Sequence, residues 1–120
     1  MPSVLPCPGV GPQLPRPHGA SISETHLALG WLYEREGDHA AALRHDGSAV
    51  DLFTGLGNLP WRARALNALA WDHARLGDHP AAVRRGQEAL ALKEELADAR
   101  GQAGTWDTLG YAYHHLGDHP

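Results

Sequence analysis

Cysteine, lysine, phenylalanine and methionine each occur once in this sequence, and each scarcity excludes something. The lone thiol, Cys7, rules out an internal disulfide and fits a reducing compartment. Lys93 is the only lysine and lies inside a helical pattern, so no phosphate-cradling G-x-x-x-x-G-K-[ST] loop is present. Neither a G-x-S-x-G nucleophile elbow nor an H-E-x-x-H metal helix occurs. No apolar run approaches the ~20 residues of a membrane span. Positive charge is not in excess: 10 Lys and Arg stand against 14 Asp and Glu, for a net charge of −4. No global basic field therefore draws in nucleic acid or anionic lipid.

Proline is abundant but segregated. Residues 1–20 hold six of the nine prolines, with Gly9, Gly11 and Gly19 among them. Such a stretch cannot sustain a helix, and it reads as a disordered linker over 1–20 ahead of a helical domain over 21–120. Its one P-x-x-P, at Pro12 and Pro15, is too common a pattern to carry a function. The same prolines interrupt any apolar stretch of signal-peptide length, so the segment does not read as a leader, and the expected location is the cytoplasm. The wealth of Ala, Gly, Pro and Arg is the bias expected of a GC-rich bacterial genome.

What the sequence does have is a repeat of 40 residues. Gly37-Asp38-His39 returns as Gly77-Asp78-His79 and as Gly117-Asp118-His119. Leu29, Leu69 and Leu109 share one register, as do Trp31, Trp71 and Tyr111. A fixed period of this size marks stacked units that each bury an apolar face on the next. Within a unit, His26, Leu29, Gly30 and Tyr33 lie on one stripe of a helix. Gly37 ends that helix in a left-handed cap and Asp38 starts the next as N-cap. A helix over about 39–56 follows, with Ala42, Ala49, Leu52 and Leu56 as inward candidates. The cycle then predicts helices over about 61–76, 80–98 and 102–116, with turns at Gly57-Asn58-Leu59-Pro60, Gly77-Asp78 and near Arg100-Gly101. The expectation is all-α: about five helices in an antiparallel helix-pair solenoid, two and a half repeats long, truncated after the first helix of the third.

The pattern resembles tetratricopeptide repeats. In that family the first helix carries a large residue, then Leu-Gly, then Tyr, then a Gly-Asp turn. Trp106, Leu109, Gly110, Tyr113, Gly117 and Asp118 follow it throughout; Leu66, Leu69, Ala70, His73, Gly77 and Asp78 follow it with two changes; His26, Leu29, Gly30, Tyr33, Gly37 and Asp38 with one. The 40-residue period, against the usual 34 or so, is similar to repeats in bacterial signal-transduction ATPases and antibiotic-pathway transcription regulators. There the repeats form an interaction or sensor arm. The resemblance implies a non-catalytic protein- or peptide-binding module without cofactor. A bulky residue is expected where Asp46 and Gly86 stand, which marks the first repeat as the weaker.

In such a superhelix the concave groove is lined by one face of each first helix. Here those positions are Leu27, Trp31 and Arg35, then Asn67, Trp71 and Arg75, then Asp107, Tyr111 and His115. The aromatic ladder Trp31/Trp71/Tyr111 offers rigid contact area to a peptide, Asn67 a hydrogen bond to its backbone, and Arg35 and Arg75 partners for acidic groups. The same ladder equally serves as packing between adjacent helices. Chaperone-tail receptors of the family clamp a carboxylate with Lys, Asn and Arg, and Leu27, Trp31, Asp107 and Tyr111 do not supply that set. Nine histidines do not make a metal site, because His39, His79 and His119 fall a repeat apart and no Cys or carboxylate cluster completes a set. Trp106, Leu109, Tyr113 and Leu116 on the last helix form an apolar face without a following helix. A fragment, a gene remnant and a self-associating subunit are three readings of that end.

Overall fold

The structure, a computed structural model, describes residues 18–117. The proline-rich segment through Pro17 and the last Asp118-His119-Pro120 lie outside the described residues. Five α-helices follow one another: α1 (His18–Arg35), α2 (His39–Leu56), α3 (Leu59–Arg75), α4 (His79–Glu95) and α5 (Ala99–Gly117). There is no strand among the described residues. The first helix starts at His18, three residues ahead of the Ser21 that the pattern marks.

All four turns are built alike. A left-handed residue closes each helix: Gly37 at φ 84°, Gly57 at 68°, Gly77 at 91° and Ala97 at 57°. The next residue, Asp38, Asn58, Asp78 or Asp98, donates its N–H back to the carbonyl five positions earlier, at 2.9–3.1 Å. Its side chain then accepts the N–H three residues on: Ala41 to Asp38 at 3.1 Å, Trp61 to Asn58 at 3.3 Å, Ala81 to Asp78 at 3.2 Å, and Gly101 to Asp98 at 2.9 Å. One residue thus completes the C-cap of one helix and forms the N-cap of the next. The fourth turn lies at Ala97-Asp98, not near Arg100-Gly101, which belong to the first turn of α5. It occupies the register of Gly57-Asn58, and an alanine holds its left-handed position.

The chain stacks as an antiparallel series, each helix packing on its sequence neighbours, while α3 also touches α1 and α5. The larger core cluster joins Ala49, Val50 and Phe53 of α2 to Ala63, Leu66 and Leu69 of α3 and Ala89 and Leu92 of α4. Phe53 and Trp61 stack with ring centres 5.6 Å apart. Of the inward candidates on α2, Ala42 and Ala49 are fully buried, whereas Leu56 is exposed and Val50 and Phe53 are buried instead. The true stripe runs through 42, 46, 49, 50 and 53, the four-three spacing of a helix face, and Leu56 stands in the last turn beyond it.

Two glycines decide the fit between helices. A Cβ on Gly86 would lie 2.6 Å from Cδ2 of Leu109, so the missing side chain of α4 is the space that Leu109 of α5 fills. A Cβ on Gly30 would collide with the carboxyl of Asp46. The bulky side chain expected at 86 thus comes from the neighbouring helix.

Candidate functional site: a groove across the first helices

A groove of about 770 Å³ runs across α1, α3 and α5. From α1 it takes Glu24, Leu27, Ala28, Trp31 and Glu34; from α3, Trp61, Arg64, Asn67, Ala68 and Trp71; from α5 and the turn before it, Asp98, Arg100, Gly101, Gly104 and Thr108. Asp46 of α2 and Lys93 of α4 reach it from behind. The spacing within each first helix is three or four residues, so one face of each helix supplies the wall.

Of the nine residues that the sequence nominates, Leu27, Trp31, Asn67 and Trp71 line this groove. Arg35 and Arg75 stand one turn further along, where their guanidinium groups lie 4.7 and 5.5 Å from the ring centres of Trp31 and Trp71. Asp107 is exposed and does not line the groove. Tyr111 and His115 also stand outside it. Tyr111 packs 5.1 Å from Trp71, His115 lies 4.1 Å from Tyr111, and His115 stacks 4.9 Å from His79 at the α3–α4 turn. The ladder is therefore half packing and half surface. Tyr111 braces Trp71 from behind, while Trp31 is 57% exposed and carries no ring contact to Trp71. Glu34 makes the link instead, accepting a 3.1 Å hydrogen bond from the Trp71 indole N–H.

Half of the groove residues absent from that nomination are charged. Arg64 lies 4.6 Å over the Trp61 ring. Lys93 is 4% exposed, and its ammonium donates to Thr105 Oγ1 at 2.8 Å and to the Gly101 carbonyl at 3.2 Å. Burial lowers the pKa of Lys93, the Asp98 carboxylate works against that shift, and Arg64 adds to it. A Cβ on Gly101 would collide with the Asp98 carboxyl and sit 3.0 Å from the Lys93 stem, so this glycine makes room for both the cap and the lysine. The repeat register was the available signal. Glu24, Arg64 and Gly104 are 40 apart, as are Ala28, Ala68 and Thr108, and all six line the groove.

Behind the groove, Asp46 and Asp72 are 2% and 1% exposed. Their carboxyls are hydrogen-bonded to each other, with Asp72 as donor. Burial, then that bond, then the Asp46 charge push the Asp72 carboxyl up to about 10. Burial also raises Asp46, against the bond it accepts. Two carboxylates this close cannot both ionise, so the pair shares a proton. Asp46 Oδ1 and Asp72 Oδ2 have no partner in the protein, nor does Asn67 Oδ1 in the middle of the groove.

Among the described residues no group of three or more His, Cys, Asp or Glu side chains could hold a metal ion. Nor is any described helix long and apolar enough to cross a membrane. Capped helix hairpins in series, with a groove across their first helices, define a helical-repeat recognition scaffold. The chain belongs to the tetratricopeptide repeat family, whose sequence model matches residues 21–95. No curated protein matches it.

On the outer face of α5, Trp106 and Tyr113 are exposed, at 54% and 45%. Leu109 is not part of that face, because it is buried against Gly86. Leu116 is half-buried.

Proposed function

We propose that this chain is a non-catalytic module that holds a segment of a partner protein in the groove between Trp31 and Trp71. Tetratricopeptide repeats generally mediate protein–protein interaction, and the observation that carries the reading here is the groove's composition. Three tryptophans supply apolar area at little cost in side-chain order. Asn67, whose carboxamide oxygen has no donor in the protein, stands among them. A peptide backbone N–H satisfies such an acceptor, and an extended chain brings one every second residue. The setting we favour is the interaction or sensor arm of a cytoplasmic bacterial regulatory protein. The 40-residue period supports it, and transcriptional or signalling output would come from other domains.

Substitution of Trp71 by Ala tests this. Loss of peptide-induced change in tryptophan fluorescence, with far-ultraviolet circular dichroism retained, is the expected outcome. Unchanged binding by the variant would place the partner elsewhere. A second reading, self-association, rests on the exposed Trp106 and Tyr113 of α5. It requires a light-scattering mass above that of one chain, falling to one chain in Trp106→Ser.

A further inference from the structure

Acids and bases are interleaved along the groove. Glu24 stands in register with Arg64, and Asp98 lies two positions from Arg100. Arg35 and Arg75 lie over the Trp31 and Trp71 rings, and Arg64 lies over Trp61. Such a wall selects no charged sequence. What it offers is apolar area on three indoles, each with a guanidinium group stacked on it as a source of N–H donors. The matching occupant carries little charge, rigid apolar groups and carbonyl acceptors.

Residues 1–17 of this chain precede α1, lie outside the described residues and have that composition. Six of them are proline, and Arg16 is the only charged side chain among them. Proline has no N–H, so a proline-rich chain presents carbonyl oxygens that its own backbone leaves unpaired. The polyproline II form of such chains is extended, ordered in advance and recognised by grooves lined with aromatic side chains. Proline density, not P-x-x-P spacing, makes the match.

The segment also has the reach. It joins α1 at His18, and the α1 wall of the groove runs from Glu24 to Glu34. Those positions lie about 9–24 Å along the helix from the junction. Seventeen residues of polyproline II span about 50 Å, at about 3.1 Å each. A chain that reverses within about four residues of His18 covers the wall, and it brings Cys7 level with Trp31 and Trp71, about 20 Å along. A tether this short holds the segment at an effective concentration in the millimolar range, so a weak intrinsic affinity suffices.

On the reading that the groove holds a peptide, we infer that residues 1–17 are its resident occupant and compete with the partner for it. Partner binding then displaces the chain's own proline-rich segment, and that segment lowers the apparent affinity of whatever else enters.

The sequence supplies the probe, because the only cysteine, Cys7, lies in that segment. A nitroxide on Cys7 broadens the indole N–H resonance of any tryptophan near it. Of the four tryptophans, Trp31, Trp61 and Trp71 line the groove and Trp106 does not. We expect the labelled full chain to lose intensity at Trp31 and Trp71 and to keep it at Trp106. Excess free peptide with the sequence of residues 1–17 (Ser replacing Cys7) should restore the intensity. Combined Pro6→Ser, Pro8→Ser and Pro12→Ser in the full chain should abolish the loss. That variant should also bind the free peptide about threefold tighter than the native chain, read by tryptophan fluorescence. The three changes lie outside the five helices, and retained circular dichroism checks the fold.

Equal loss at Trp106 and Trp31, or a loss that free peptide does not reverse, is contact without docking and overturns the resident occupant. No loss at any tryptophan overturns it as well. Capture of members of a random eight-residue peptide library by the native chain, abolished in Trp71→Ala, would then leave the peptide groove standing. Absence of that capture would remove the groove reading too.

Discussion

Two of the helix junctions of this solenoid, α2–α3 and α4–α5, occupy equivalent places one repeat apart and are filled in opposite ways. At the first, Gly30 of α1 makes room for the Asp46 carboxyl, which bonds to Asp72 of α3. At the second, Gly86 of α4 makes room for Leu109 of α5, beside the fully buried Ala82 and Ala112. Asp46 and Gly86 are one repeat apart. The same backbone thus accepts a proton-sharing carboxyl pair at one joint and a hydrocarbon plug at the other. What the repeat specifies is the volume available, not the chemistry that fills it. The Gly86–Leu109 contact holds no titratable group, whereas the Asp46–Asp72 pair does.

The sharpest way to separate the joints is titration. A carboxyl whose folded pKa is raised stays protonated in the folded state, while the unfolded chain releases the proton above about 3.8. The stability it contributes is therefore fully present below that value and is lost as pH rises towards about 10. One proton is worth about 1.4 kcal/mol per pH unit in that window. Urea unfolding at pH 7 and pH 5 should show the native chain gaining about 3 kcal/mol on acidification relative to Asp72→Asn. Parallel curves for the two proteins would mean that the pair does not share a proton.

Steric substitutions should follow at smaller size. Gly30→Ala drives a Cβ into the Asp46 carboxyl, so overpacking of about 1–3 kcal/mol should outweigh the ~1 kcal/mol of helix propensity that alanine brings. The loss should disappear in an Asp46→Gly background, as a double-mutant cycle would read. Gly55→Ala is the control, since a Cβ there meets nothing within 4 Å and only the propensity gain remains. If Gly30→Ala proved as benign as Gly55→Ala, the first joint would be looser than its geometry shows.

The turns sharpen the comparison further. Three carry glycine at the left-handed position and one carries Ala97 at φ 57°. Ala97→Gly should raise thermal stability by about 1 kcal/mol, because the Cβ penalty in that region is relieved. A lower melting temperature would show instead that the alanine is favoured there. Smallest is the bond from Gln87 Nε2 to the Tyr113 hydroxyl, 2.8 Å long and exposed. Tyr113→Phe should change stability by less than about 0.5 kcal/mol, and a larger loss would give the second joint a polar component.

Most of the fold was legible because its joints are written in residues with few other uses. Gly37-Asp38 and Gly77-Asp78 each announce a left-handed cap followed by an N-cap, and the helices between them carry one apolar stripe. The fourth turn falls three residues before the glycine at Arg100-Gly101, because there alanine takes the left-handed position while Gly101 makes room for the Asp98 cap and Lys93. The groove was half legible. Leu27, Trp31, Asn67 and Trp71, which the family resemblance puts on the concave face, do line it, but the same register at Asp107, Tyr111 and His115 leads away from it. The groove reaches α5 only along its Gly101, Gly104 and Thr108 side, and Tyr111 is spent on bracing Trp71. Arg64 and Glu34 belong to no residue type that the repeat preserves, and only the stacking of first helices shows that they face one space. The Asp46–Asp72 pair spans two helices and 26 positions, beyond any local pattern.

The lysine that the sequence supplies only once is also sealed. Its ammonium is closed between α4 and α5 on Thr105 and the Gly101 carbonyl. An acylating reagent aimed at lysine amines finds no exposed target on the folded helices, and it reaches Lys93 only when the last turn parts. The rate at which that one side chain is acylated is therefore a clock for the opening of α5 from the stack, readable by mass spectrometry on the unaltered protein.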